Sequence, residues 1–324
     1  MLIKKKLLIN ALNLYTGGSK TISQYIFNDL NKLKKYKTTI IIPKNIEKSL
    51  NLKGVDEIIS INYPKNNFNF LFKLYIDHIH VFFLCHFKKI DLVINCGNFS
   101  NFFISKNKQL TLLHNIFYLY KFKIIKKYLN LRMFLEIFLF NICSNHKSAF
   151  IVQNNFVKNK IIEKFQTDKK KIFIADFYKA VPILFNKINN KVKSKKINLN
   201  KKKKNIIFPY HYYENKNFDK LYLFDEIITK NRLNFNIYLT IDNKDYFNLK
   251  KNYNLKNIFN LGKLNTNQLY NFYEKFDFIL NLSKFESMCL PLYEAIFFSK
   301  NIISIKADFI LKKIKNRSII LDSF

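Results

Sequence analysis

Glycine, arginine, acidic side chains and long uncharged runs are all scarce in this chain. Of its 324 residues five are Gly and four are Cys, and Asp plus Glu number 22 against 56 Lys plus Arg. Cys85, Cys96, Cys143 and Cys289 are scattered with no Cys-x-x-Cys pair, which excludes a zinc framework and a disulfide scaffold. All four are expected to be reduced and buried. No stretch reaches the roughly 18 uncharged apolar residues of a spanning helix. The most apolar runs, 68–87 and 116–143, are interrupted by Lys, Asp, Glu or Arg, so no transmembrane helix is expected. Met1 to Lys6 has the charge of a signal peptide, but the apolar run after it stops at Asn10 and a strand pattern takes over. A cytoplasmic location is the expectation.

The acid deficit leaves a formal net charge of +34. Phosphate binding feeds on such charge, but the commonest specific base contacts come from Arg forks, and Arg132, Arg232 and Arg317 are the only arginines. Lys, Asn, Ile and Phe dominate together along the chain, as coding from an AT-rich genome would produce, so nucleic acid is not the expected partner. A basic surface is drawn to anionic lipid head groups and to diphosphate-bearing substrates. Peripheral contact with an anionic membrane, at the inner face of the cell membrane, is therefore expected.

What is abundant is core material: 48% of residues are hydrophobic and 17% aromatic, which suits a packed globule. The length allows two ordinary α/β domains. Short apolar runs alternate with longer amphipathic ones, the signature of β-α units and a parallel sheet. The pattern predicts strands at 6–13, 38–43, 57–62, 91–96, 109–114, 148–153 and 171–175, with helices at 21–34, 117–141 and 156–165. One domain is thus predicted over residues 1–178. A Lys-rich linker at 179–204 follows, ending in four consecutive lysines, Lys201 to Lys204; such blocks usually mark a solvated connection. The alternation restarts in a second domain, 205–324, with strands at 205–209, 235–241, 257–261, 278–282 and 301–305, and helices at 218–230, 266–276 and 290–299. Two parallel-sheet domains facing a cleft would hold a ligand at the C-terminal strand edges.

Two segments carry chemistry. Gly17 and Gly18 stand together between the first strand and first helix, where backbone N–H groups can approach an anion at a helix N-terminus. A plain tight turn capped by Ser19 or Thr21 is the structural alternative. The pattern is neither Gly-x-Gly-x-x-Gly nor a P-loop. The second segment runs from Lys284 to Ala295 as Lys-Phe-Glu-Ser-Met-Cys-Leu-Pro-Leu-Tyr-Glu-Ala. It follows a strand and opens a helix: Ser287 can cap, Pro291 is tolerated in a first turn, and Glu294 falls about one turn in, near the positive end of the dipole. Two glutamates eight residues apart are by themselves weak evidence, since surface helices often carry such pairs.

The residues around them resemble the Glu-x7-Glu motif of retaining glycosyltransferase family 4, commonly Glu-Ser-Phe-Gly-Leu-Pro-Leu-Leu-Glu-Ala. Ser287, Leu290, Pro291, Leu292, Glu294 and Ala295 match directly, whereas Met288 and Cys289 replace the motif's Phe and Gly. Upstream, Asn260-Leu261-Gly262-Lys263-Leu264 and a strand at 278–280 follow the family's order, as does Ile302-Ile303-Ser304 downstream. In the N-terminal half the resemblance extends to Asn10-Ala11-Leu12-Asn13, Gly17-Gly18, Leu112-Leu113-His114-Asn115 and Ile151-Val152-Gln153. It implies the GT-B fold, two Rossmann-like domains, the C-terminal one holding a UDP- or GDP-sugar and the N-terminal one the acceptor.

Carried over by position, the resemblance implies that Glu286 contacts the transferred sugar, Glu294 the ribose hydroxyls, and Lys216 in Glu214-Asn215-Lys216-Asn217 the leaving diphosphate. Lys263 stands in for a missing Arg, because the region before Lys216 reads Phe208-Pro209-Tyr210-His211. His114 is expected at the catalytic edge of the first domain, and Gly17, Gly18, Ser287, Cys289 and Leu290 near the donor. No metal cofactor is implied; Asp77, His78, His80, Cys85 and His86 lie close in sequence but do not share one helical face. The implied activity is transfer of a hexose to a surface glycan or lipid-linked acceptor, as in lipopolysaccharide or capsule biosynthesis. Chemistry of this kind relies on positioning and electrostatics more than on a protein nucleophile. Family members usually continue beyond the position of Phe324, so a shortened C-terminal domain, with impaired activity as the alternative reading, is also expected.

Overall fold

The computed structural model describes residues 4–14, 26–27, 35–48, 50, 52–62, 69–128, 130–179, 181–182, 185, 199–310 and 312–321. Gly17 and Gly18 lie outside these residues, as does the helix expected at 21–34 apart from Ile26 and Phe27, which are helical. The chain divides into two units, Met1–Ala180 and Val181–Phe324.

The first unit is a seven-stranded parallel sheet. Its strands are β1 (Lys5–Asn10), β2 (Tyr36–Pro43), β3 (Glu57–Ile61), β4 (Leu92–Asn95), β5 (Gln109–Leu112), β6 (Ala149–Val152) and β7 (Ile172–Ile174), in the order β3-β2-β1-β4-β5-β6-β7. A parallel strand is covered on both faces and so reads as a continuous apolar run. That is why Leu7, Leu8 and Ile9 of β1 and Ile40, Ile41 and Ile42 of β2 are all buried, with Ile9 facing Ile40 on one side and Ile94 on the other.

Helices of eight or more residues are numbered here. Among the described residues of the first unit these are α1 (Phe70–Lys88), α2 (Leu131–Cys143) and α3 (Asn155–Phe165). α1 includes a π-helical turn at Tyr75–His80. By length and composition α1 is apolar enough to cross a membrane, which corrects the expectation that no run would be. However, Ile76 and Val81 pack in the unit's core with Leu8, Leu12 and Val93, so α1 is an integral wall of this domain.

The single helix expected at 117–141 is broken. Ile116–Leu119 is 3-10, Phe122–Ile125 a short α-turn, Lys126–Tyr128 3-10, and only then does α2 begin. The break has a local cause in two asparagines: Asn115 accepts from the Phe117 N–H and Asn130 from the Met133 N–H, each starting a new turn. It has a tertiary cause in Tyr118, fully buried and donating to Glu136 Oε2 at 2.8 Å.

The second unit is a six-stranded parallel sheet: β8 (Lys204–Phe208), β9 (Phe235–Leu239), β10 (Ile258–Asn260), β11 (Phe278–Asn281), β12 (Asn301–Ile305) and β13 (Ser318–Leu321), ordered β10-β9-β8-β11-β12-β13. Its helices are α4 (Leu221–Lys230), α5 (Asn243–Asn252), α6 (Thr266–Tyr273) and α7 (Leu290–Phe297). α6 opens on a capping box between Asn265 and Gln268. Within the expected linker, Phe185 meets Phe297 and Phe298 edge to face, with ring centroids 5.4 and 5.2 Å apart, so part of that stretch belongs to the packing of the second unit. All four cysteines are free; Cys85 is half-buried and the other three buried.

Candidate functional site

In both sheets the strand order reverses between the first and fourth strands of the unit, β1 beside β4 and β8 beside β11. Loops leaving such neighbours diverge to opposite faces and open a crevice at their C-terminal ends, where open α/β sheets bind ligands. Residues after β8 and β11 therefore define the candidate site of the second unit, and those after β1 and β4 its counterpart in the first.

In the second unit the loop after β8 brings Lys216 to Glu286, which follows β11. Lys216 Nζ and Glu286 Oε1 form an ion pair with each side chain 14% exposed. Lys216 Nζ also lies 4.8 Å above the Tyr210 ring, a cation–π contact that adds to its anchoring. Asn217, at φ 53°, adopts the left-handed conformation that Asn tolerates. Its Nδ2 donates to the Leu282 carbonyl at 2.6 Å, tying the two strand-end loops together.

Below the pair, Tyr210 is buried. Its hydroxyl donates to Asn281 Oδ1 at 2.9 Å and meets Cys289 Sγ at 3.1 Å, while Asn281 Nδ2 donates to Ser304 Oγ at 2.9 Å. Cys289 is 2% exposed and its thiol is pushed up to about 12, by burial first and then by Glu286. It is a packed, unreactive thiol turned towards Tyr210. Cys289, not Ser287, is the residue that caps α7, and it does so without a side-chain hydrogen bond; Pro291 sits in the first turn as expected. Leu290 opens the helix.

Glu294 has different surroundings from Glu286. It is 3% exposed, accepts a 2.5 Å hydrogen bond from Tyr273 of α6, and burial raises its pKa to about 7. The structure thus separates the two glutamates, one paired to a lysine at the strand edge and one sheathed by tyrosine behind it. Lys263, after β10, is exposed and pairs with Asp242, the residue that precedes α5 in the loop after β9. Between these positions stands His211, held below its ordinary pKa by burial and then by Lys263 and Lys216. The sheet edge thus gathers Lys216, Lys263 and His211 on one rim, with both lysines ion-paired to carboxylates and the imidazole held towards its neutral form. Tyr210, His211, Asn217 and Asn281 form part of this site although the motif reading gave them no role. The chemical signal for three of them was available: polar residues immediately after β8 and at the end of β11.

In the first unit, His114 follows β5. Its Nε2 lies 3.2 Å from Asn98 Nδ2, and the same asparagine's Oδ1 accepts from the backbone N–H groups of His114 and Asn115, both at 2.8 Å. Accepting at Nε2 places the ring proton on Nδ1. Burial, then Lys73, lowers the His114 pKa to about 4, so its imidazole is neutral at physiological pH. At the β1/β4 reversal, Asn10 donates to Asp77 Oδ1 at 2.7 Å and Asn13 to Oδ2 at 3.4 Å. A Cβ at Gly97 would stand 2.5 Å from Asn13 Nδ2, so a larger residue there would push the Asn13 side chain away from Asp77. Gln153 donates to the Leu113 carbonyl at 2.8 Å. The segments around Asn10, His114 and Gln153 are thus each anchored at the edge of the first sheet.

Two Rossmann-like parallel-sheet units in one chain are the GT-B fold. The family model described as glycosyl transferases group 1 matches residues 189–321, which covers the Lys216–Glu286 pair and α7. Among solved structures, the chain is similar to WaaG, a glycosyltransferase involved in lipopolysaccharide biosynthesis, at TM-score 0.64 and 10% identity over 98% of this chain and 86% of that one. It is similar to the sucrose-phosphate synthase of Thermosynechococcus elongatus at TM-score 0.63 and 10% identity, over 98% and 86%. A UDP-GlcNAc 2-epimerase from Neisseria meningitidis, bound to UDP-GlcNAc, aligns at TM-score 0.61 and 11% identity over 93% and 82%. Identities this low establish the shared fold. No curated protein matches the chain.

Proposed function

We propose that this chain is a retaining hexosyltransferase that takes a hexose from a UDP- or GDP-sugar and delivers it to a surface-glycan acceptor. The observation that carries this reading is the Lys216–Glu286 pair at the strand-order reversal of the second unit, inside the segment that matches group 1 glycosyl transferases.

The chemistry follows from these side chains. Cleaving a glycosyl–phosphate bond leaves negative charge on the departing diphosphate, and a lysine already fixed at the site stabilises it without reorganisation. Lys263, released from Asp242, would add a second cation, and the His211 imidazole a hydrogen-bond donor, on the same rim. The Glu286 carboxylate accepts hydrogen bonds from sugar hydroxyls. In the donor-free protein it also neutralises Lys216, so an incoming diphosphate competes with Glu286 for the ammonium and frees the carboxylate for the sugar. Retention is assigned by resemblance to the Glu-x7-Glu enzymes, in which the departing phosphate helps deprotonate the acceptor hydroxyl. A glycosidase-like double carboxylate mechanism is disfavoured by Glu294, which is sheathed by Tyr273. The position of Cys289 favours an active protein over an impaired one, because its thiol turns into the core and leaves the rim open.

The test is turnover of a panel of UDP- and GDP-sugars by purified protein, with K216A and E286Q beside it. We expect one donor class to be consumed, and K216A to lose about 100- to 1000-fold in kcat, the size seen when one transition-state charge stabiliser is removed. Consumption of UDP-GlcNAc to a 2-epimer without acceptor, or wild-type rates in K216A, would overturn the reading.

A further inference from the structure

α1 and α2 are built inside out. On α1, where His86 near the end is exposed, three polar residues are buried, Lys73 at 4% exposed, Asp77 at 5% and His78 at 9%. They are satisfied internally, Lys73 by Glu136 of α2 at 3.5 Å and Asp77 by Asn10. An outward apolar stripe recurs every four positions: Leu71, Tyr75, Ile79, Phe83 and Phe87, the last 76% exposed. α2 repeats the inversion, with Glu136 buried and Leu131, Phe134, Phe138 and Ile142 exposed.

The two stripes belong to one surface. Arg132 of α2 lies 5.7 Å from the Phe70 ring of α1, and Lys106 donates to the last carbonyl of α2, Cys143 O, at 2.5 Å. Between them Phe103 contacts Phe82 of α1 and the exposed Phe102, at 5.6 and 5.4 Å. Phe122, itself exposed, packs on Phe134 at 5.8 Å. The stripe on α1 alone, seventeen residues from Leu71 to Phe87, is about 24 Å long.

We propose that this outward face of α1 and α2 docks the protein on an anionic lipid surface, lying in the plane of the interface. Charge identifies the occupant. From 69 to 147 the carboxylates are Asp77, Asp91 and Glu136; two are buried, and Asp91 accepts from the Lys6 N–H. The exposed charges around the stripes are cations, Lys89, Lys108, Lys121, Lys123, Lys126 and Lys127. An apolar stripe bordered by lysines is the composition of helices that bury one face among acyl chains and keep their charges at anionic head groups. A second copy of the chain fits poorly, since face-to-face contact would set lysine against lysine between chains of net charge +34. α1 does not leave the domain to span the bilayer, because Ile76 and Val81 are held in the core.

The experiment uses full-length protein and no donor sugar, so its outcome is independent of the transferase reading. Co-sedimentation is measured with vesicles of phosphatidylcholine alone and of phosphatidylcholine mixed with phosphatidylglycerol. The triple variant F83S/F87S/F138S removes exposed side chains only, and its melting temperature reports whether the fold is kept. The chain has no Trp, so F87W and, in the second unit, F259W each supply a single fluorescent reporter. We expect binding to the phosphatidylglycerol vesicles, a loss of about tenfold or more in the triple variant at unchanged melting temperature, and a blue shift on vesicle addition for F87W but not F259W. The proposal is overturned if the protein does not sediment with these vesicles, if the triple variant binds them as well as wild type, or if F87W does not shift. It is also overturned if sedimentation velocity without lipid shows a dimer that the triple variant abolishes, which would give the face to a second copy.

Discussion

Replacing Glu294 by Gln separates the cost of a buried charge from the work of a binding group. Glu294 is 3% exposed on α7, and burial lifts its pKa from the ordinary 4.5 to about 7, against the opposing effect of the hydrogen bond from Tyr273. Because the folded value lies above the unfolded one, the folded protein keeps a proton that the unfolded chain releases between about pH 4.5 and 7. Stability contributed by the neutral acid is therefore complete below that window and lost as the pH rises through it. A gap of about 2.5 pH units, at about 1.4 kcal/mol each, makes the ionised carboxylate cost about 3.5 kcal/mol above pH 7.

Gln removes the charge and keeps an oxygen that accepts from Tyr273. E294Q should accordingly raise the melting temperature at pH 8.5 by on the order of 5–10 °C for a unit of this size, and leave it unchanged at pH 4.5. Thermal melts followed by circular dichroism at the two pH values decide the matter. An equal effect at both, or destabilisation at pH 8.5, would refute the account of Glu294 as a desolvated acid. The same two proteins test its donor role. If Glu294 holds the ribose hydroxyls, UDP should protect wild type against heat and protect E294Q much less, since binding to the folded state alone raises stability in proportion to occupancy.

Three further outcomes are expected. E136Q removes the charge that faces Lys73 and Arg132 across a buried junction. Burial alone would raise the Glu136 pKa, but Lys73, the Tyr118 hydroxyl and Arg132 together hold it below 4.5, so its stabilisation is present above the unfolded value and lost as the pH falls. The variant should be less stable by about 3 kcal/mol at pH 7, with the difference narrowing below about pH 4 in urea titrations. Y210F deprives Asn281 Oδ1 of its 2.9 Å donor and should cost about 1–2 kcal/mol in the same titrations, with kcat largely retained because the ring beneath Lys216 remains. K263A breaks an exposed pair with Asp242, and should leave the melting temperature unchanged while weakening donor affinity, read as a rise in KM with kcat retained.

The sheets were legible because parallel strands are written as uninterrupted apolar runs. Thr38 to Ile42 and Phe278 to Leu280 admit no other economical reading, and their observed bounds differ from the expected ones by a residue or two. β13 escaped notice because Ser318–Leu321 is four residues long and follows a basic stretch. α5 escaped because Asn243–Asn252 is polar almost throughout and buries only Leu249, leaving no apolar period to read. At the site, the strand–turn–helix around Glu286 and Pro291 and the place of Lys216 were readable. That the lysine and glutamate pair was not, since 70 residues separate them and only the β8–β11 contact brings them together.

The reversal on α1 and α2 marks where pattern reading must fail. Hydrophobic periodicity places apolar residues on a face but does not say which way that face looks. On α1 both faces are substantially apolar, Ile76 and Val81 on one and Ile79 and Phe83 on the other, so the orientation is decided by the polar residues. Lys73, Asp77 and His78 would ordinarily be assigned to solvent. Here each has a specific partner on the inside, Glu136 for Lys73, Asn10 for Asp77 and the Phe102 N–H for His78 Nδ1. A buried charge is tolerated where it is paired and hydrogen-bonded, and those partners lie at β1, the 102–108 loop and α2, far apart in sequence. Once they fix the polar side inward, the five residues from Leu71 to Phe87 have nowhere to face but out. A surface that water alone would penalise is thereby retained, and that retained face is what the proposed lipid docking rests on.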